Sequence, residues 1–155
     1  IAQLHERTNQ FNLTTRRFTQ SELAALVADP EHAVVLAATA SDRFGNHGIV
    51  IAAVARIDGA TANIDSFLMS CRVIARQVET AFLGAFLEQL TIRGVTKVTG
   101  RFIPTAKNGM VKDFYSTHGF TPAPSDEQSC TTWTWQPGNA PLPASAFVTV
   151  KWSTT

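Results

Sequence analysis

A thiol set between an apolar run and an arginine-studded helix start is where this sequence could do chemistry. The stretch Phe67-Leu68-Met69-Ser70-Cys71-Arg72-Val73-Ile74-Ala75-Arg76-Gln77-Val78-Glu79 changes character at Cys71. A helix N-terminus carries unpaired N–H groups and partial positive charge, which attracts phosphate and favours a thiolate. Arg72 and Arg76 add formal charge there, so the residues suit a nucleophilic cysteine. Equally, cysteine packs as a small hydrophobe and is among the most often buried residue types. A second segment, Asn108 to Phe120, holds the only tyrosine, Tyr115. Read as one helix, it places Asn108 and Tyr115 on the same face two turns apart. The phenol could then protonate a departing thiolate, or simply anchor the helix. His118, near that helix end, reads as a dipole-favoured residue rather than a base.

Other chemistry is poorly provided for. The histidines His5, His32, His47 and His118 are scattered, without zinc spacing, so no metal site is expected. No two aspartates stand two apart, which removes the Asp-x-Asp pair of aspartyl phosphate chemistry. Two cysteines do not make a disulfide scaffold, and a reduced, cytoplasmic setting is the default expectation. A net charge of +1 gives no footprint for nucleic acid or an anionic membrane, and no apolar run is long enough to span a bilayer. The opening Ile-Ala-Gln reads as a cut within a longer polypeptide.

The elements that must position these residues follow from periodicity and punctuation. Residues 4–10 read as a helix end and Phe11 to Phe18 as a strand. Thr19 and Glu22 form a capping-box pattern for a helix carrying Leu23, Leu26 and Val27 and ending near Pro30. Residues 33–39, 49–57 and 62–70 read as a three-strand meander, with turns at 42–48 and at Asp58-Gly59. A broad apolar stripe predicts the longest helix over 77–93, stopped by Gly94. A strand over 95–103, a helix over 107–118 and strands from Phe120 and over 131–135 complete the chain. Residues 1–136 are then one domain, and 137–155 a Pro-rich linker and extension in which 147–152 could add an edge strand. With 45% hydrophobic content over 155 residues, the pattern is α+β with a mixed, mostly antiparallel sheet flanked by helices.

The two chemical segments, in this order and spacing, resemble the Gcn5-related N-acetyltransferase (GNAT) fold. Asn108, Tyr115, Gly119 and Phe120 match its later helix, with Val111 for an alanine. Its earlier loop is matched at Arg72, while Ala75 and Gln77 stand where glycines are expected. A closer resemblance covers the chain to about residue 120. Arg7-Thr8-Asn9-Gln10-Phe11-Asn12, Asp42-Arg43-Phe44-Gly45, Phe67 to Val73 and Pro104-Thr105-Ala106-Lys107-Asn108 look like the C-terminal domain of FkbH-like proteins. In that family a haloacid-dehalogenase-like domain, missing from this chain, precedes it. The whole protein loads a glyceryl unit onto an acyl carrier protein for polyketide synthesis.

The resemblance implies that Cys71 accepts the acyl group from, or for, a carrier's phosphopantetheine arm, with no tightly bound cofactor. Arg72, Arg76 and the backbone of Val73, Ile74, Ala75, Gln77 and Val78 would hold the arm's phosphate, with Asn108 beside them. Tyr115 would be the proton donor, and Asn12 and Lys107 polar wall residues touching substrate. No base for Cys71 is evident. Two alternatives stay open: an acyl-CoA-dependent N-acyltransferase, with Asp65 as its nearest base, and a degenerate domain that only binds carrier protein.

Overall fold

The computed structural model describes residues 1–8 and 10–153, without the side chains of His5 and Arg7. Helix α1 (Ala2–Arg7) and helix α2 (Gln20–Val27) precede a meander of β1 (Ala33–Asp42), β2 (Gly45–Asp58) and β3 (Thr61–Met69). Helix α3 (Val78–Ile92), β4 (Lys97–Phe102), the short α4 (Phe114–Thr117), β5 (Thr121–Ala123) and β6 (Thr131–Trp135) follow. The six strands form one sheet in the order β1-β2-β3-β4-β6-β5. Only β3 and β4 pair in parallel, the other neighbours being antiparallel. The mixed, mostly antiparallel α+β sheet expected from the sequence is therefore present.

Local chemistry explains why several elements lie where the sequence puts them. At α2 the Thr19 hydroxyl accepts from Glu22 N–H while the Glu22 carboxylate accepts from Thr19 N–H, which satisfies two end groups of the helix. Helix α3 buries Phe82, Leu83, Phe86, Leu87 and Leu90, and these join β-strand residues such as Ile51, Ile64 and Phe67 in the main core. Gly94, at φ +85°, ends the helix in the left-handed conformation glycine tolerates.

The expected strand over Phe11 to Phe18 does not form. Instead residues 11–13 enter the sheet between β3 and β4. Those strands pair only from Thr61 with Lys97 to Ile64 with Gly100. Beyond that, Leu13 N–H donates to Phe67 O at 3.2 Å and Met69 N–H donates to Phe11 O at 3.0 Å. On the other side Ile103 N–H donates to Leu13 O at 2.8 Å. Phe11 and Leu13 are buried, so the segment is both a hydrogen-bonded filler and part of the core.

The expected helix over 107–118 is also broken. A 3₁₀ turn at Gly109–Val111 is separated from the four-residue α4, so Asn108 and Tyr115 do not share one helix face. Residues 147–152 add no strand. The segment after β6 packs across α3: a Cβ at Gly84 would lie 1.9 Å from the Pro143 carbonyl oxygen, and Ser145 Oγ donates to Gln77 Oε1 at 2.9 Å. Glycine in mid-helix costs about 1 kcal/mol against alanine, and here it makes room for that crossing. Among the described residues no helix is long and apolar enough to cross a membrane.

Candidate functional site

Cys71 is exposed, so it is not the buried core residue that cysteine packing would suggest. It follows β3 directly. Ser70 N–H donates to Val50 O at 2.7 Å, so the β2–β3 ladder runs to the residue before the thiol. Cys71 then opens a 3₁₀ turn, Cys71–Val73, capped by Ser70 Oγ, which accepts from Arg72 N–H and Arg72 Nε. The expectation of a helix N-terminus at Cys71 is corrected, because α3 begins only at Val78. A three-residue 3₁₀ turn has little macrodipole, so the helix field expected at this thiol is not formed.

The thiol faces a cavity of about 1130 Å³ between the N-terminal segment, the β1–β2 hairpin and the β3 end. Arg72 and Lys107, two of the expected binding residues, line it, and so does His47. A neighbouring cavity of about 690 Å³ is lined by Val73, Arg76, Val78 and, again, His47. The segment from Phe147 to Ser153 forms its outer wall. The expected phosphate ligands are thus divided. Arg76 is engaged, its Nη1 donating to Asp42 Oδ2 at 2.6 Å. Val73 is fully buried, and Ile74 packs against the core.

The loop between the turn and α3 keeps an unusual backbone. Ala75 at φ +66° and Gln77 at φ +58° both occupy the left-handed region. These are the positions where the GNAT resemblance expects glycine. The conformation persists although the residue type has changed, at a cost of about 1–2 kcal/mol for each residue.

Three other expected site residues are placed elsewhere. Tyr115 is 1% exposed, with its ring packed among Phe114, Phe120 and the face of Gly100. Burial pushes its phenol well above the usual tyrosine range, offset only in part by the Arg101 backbone. It does not line the Cys71 cavity. Asn108 is fully buried and its amide is committed: Nδ2 donates to Asn12 O and Ile103 O, and Oδ1 accepts from Thr105 N–H. Asn12 is 3% exposed and its Oδ1 accepts from Thr15 N–H. Asn108 therefore commits its whole amide to holding backbone in place, and Asn12 commits its Oδ1. His118 bridges α4 to α3, with Nδ1 at Phe114 O and Nε2 at Thr80 Oγ1.

Asp65 is surrounded by cations: Arg16 Nη1 lies at 3.2 Å and Arg56 Nε at 2.5 Å from its Oδ2. Cys130 is buried; its thiol is held below the usual range by a hydrogen bond with Ser125 and then by Arg101. Among the described residues no group of His, Cys, Asp or Glu is arranged to hold a metal ion.

The residues that sequence reasoning missed are Asp42 and His47. His47 Nε2 lies 3.1 Å from Asp42 Oδ2. Asp42 also accepts from Phe44 N–H and from Arg76, and its carboxyl is held at about 2 by His47 first and then Phe44 and Arg76. The available signal was a histidine five residues after an aspartate across a glycine-containing hairpin.

No known family profile matches the chain, and no curated protein matches it in sequence. Solved structures do. The GNAT domain of an S. lividans PAT superposes with TM-score 0.66 at 18% identity, over 87% of this chain and 82% of that one. The PaiA N-acetyltransferase of Thermoplasma acidophilum, in complex with coenzyme A, gives TM-score 0.64 at 12% identity, over 76% of this chain and 71% of that one. The Escherichia coli ribosomal-protein-S18-alanine N-acetyltransferase gives 0.61 at 12% identity, over 87% and 84%. The chain has the fold of the GNAT acetyltransferases.

Proposed function

We propose that this domain is an acyltransferase that moves an acyl group through a thioester on Cys71 to the phosphopantetheine thiol of an acyl carrier protein. The glyceryl group of polyketide loading is the acyl unit that the FkbH-like resemblance suggests. The observation that carries the reading is an exposed thiol facing a cavity of about 1130 Å³ that also receives Arg72 and Lys107. A thioester carbonyl presented there meets a nucleophile, and an arm's phosphodiester meets two cations. The GNAT fold supports acyl transfer in general.

A second reading, acyl-CoA-dependent N-acylation, draws support from the coenzyme A bound in the PaiA structure. Its expected base, Asp65, is instead tied to Arg16 and Arg56. The degenerate carrier-binding reading has against it the exposed thiol.

The test is discharge. Protein incubated with a synthetic glyceryl or acetyl thioester and freed of donor is offered a holo carrier protein or an amine. Transfer to the carrier thiol from Cys71 supports the proposal; transfer only to amines, and unaffected by Cys71→Ala, sinks it and favours N-acylation.

A further inference from the structure

Cys71 needs a group to take its proton, and the sequence does not name one. The β2–β3 ladder pairs Ile51 with Met69, and Ser70 N–H then donates to Val50 O. Continued by one residue, that register sets Cys71 beside Ile49, and His47 lines the same cavity as the thiol. Register shifts in the β1–β2 ladder on either side of Thr39 accompany the left-handed Gly48, at φ +69°. Bulges of this kind re-aim side chains.

We propose that His47, oriented by Asp42, is the general acid–base of the Cys71 site. This inference rests on the reading of Cys71 as a nucleophile. The 3.1 Å contact to Asp42 Oδ2 assigns the ring's proton to Nε2, since a carboxylate only accepts. Nδ1 therefore carries the lone pair, and no hydrogen bond among the described residues engages it. His47 side-chain exposure is 25%, enough to reach a ligand while the ring stays held. Asp42 is a positioning residue and does not itself touch substrate. It is anchored in turn by Phe44 N–H and Arg76.

The step balances without any further reactant. Nδ1 takes the proton from Cys71 Sγ, the sulfur attacks the donor thioester carbonyl, and the bond from that carbon to the donor sulfur breaks. The proton then passes from Nδ1 to the departing pantetheine sulfur. Discharge to a carrier thiol runs the same transfers in reverse. His47 thus fills both the base role left open by the sequence and the acid role expected of Tyr115.

Among the described residues, the charged and titratable side chains around the ring are Asp42 at Nε2, Arg76 behind it, Cys71, Arg72 and Lys107 in the cavity, and Lys151 in the neighbouring one. The experiment follows iodoacetamide labelling of Cys71 by peptide mapping, in the full chain, from mildly acidic to mildly alkaline pH. His47→Gln should slow labelling at neutral pH about tenfold or more and change the shape of the pH profile. Asp42→Asn should change it in the same direction by less. Slow labelling of buried Cys130 in the same samples reports an intact fold. If His47→Gln loosens it, His47→Asn carries the comparison. Superimposable parent and His47→Gln profiles overturn the inference, whether or not an acyl adduct ever forms. A His47-dependent profile in a protein that accepts no acyl group keeps the acid–base pair and removes the thioester reading.

Discussion

The side-chain amide of Asn108 donates to the main-chain carbonyl of Asn12, at 2.9 Å, across 96 residues of sequence. The same Nδ2 donates to Ile103 O, also at 2.9 Å, while Oδ1 accepts from Thr105 N–H at 2.7 Å. One side chain thereby locks the 11–13 segment to the end of β4. Asn108→Ala strands the buried Asn12 carbonyl, the half-buried Ile103 carbonyl and the Thr105 N–H, at roughly 1–3 kcal/mol for each unsatisfied group with partial relaxation. A loss of about 3 kcal/mol in denaturant unfolding is expected. A loss below about 1 kcal/mol contradicts the staple.

Ala75 sits at φ +66° without the freedom of glycine. Ala75→Gly relieves about 1–2 kcal/mol of left-handed strain and gives back about 0.5–1 in chain entropy. A net gain of about 0.5–1 kcal/mol is expected on those terms. Gln77→Gly also loses the bond from Ser145, so its gain should be smaller. Urea midpoints for the two variants check both magnitude and order, and a loss on Ala75→Gly contradicts the strain.

Tyr115→Phe should leave Cys71 acylation at the parent rate. The hydroxyl is buried without a well-formed hydrogen bond and the ring lies outside the Cys71 cavity. Stability should be equal or slightly higher, because no buried partner is orphaned. Single-turnover acylation slowed more than about tenfold returns Tyr115 to the mechanism as a general acid.

Asp42 makes an acid-stability prediction whose sign is fixed by its carboxyl. The folded value is lowered from 3.8 to about 2 by His47, Phe44 and Arg76. Native protein therefore binds this proton more weakly than unfolded chain. Its contribution is complete above the unfolded value and lost as pH falls through the folded one. Unfolding curves across that acid range should be steeper with pH in the parent than in Asp42→Asn. Equal slopes contradict the ion-pair geometry.

The sequence made the meander, α3 and the α2 cap legible, because each rests on local pattern: alternation, a wide apolar stripe, and Thr19 three residues before Glu22. Phe11 to Phe18 alternates like a strand, yet its partners are Phe67, Met69 and Ile103, and no local pattern reports contacts so distant. Asn108 and Tyr115 were read as site residues by helical spacing, which fails once the backbone breaks into a 3₁₀ turn and a separate α4. Asp42 and His47 were hidden because Gly45, Asn46 and Gly48 look like turn residues. They instead lie in β2, where Gly45 pairs with Asp42 and the ladder is irregular.

The central claim is that Cys71 carries the acyl group, and intact-mass analysis tests it most directly. Parent protein mixed with a glyceryl or acetyl pantetheine thioester should gain one acyl mass, mapped to the Cys71 peptide and released by hydroxylamine or a carrier thiol. Cys71→Ala should gain none. An adduct of the same extent in Cys71→Ala, or one mapped to Cys130 in the parent, contradicts the account.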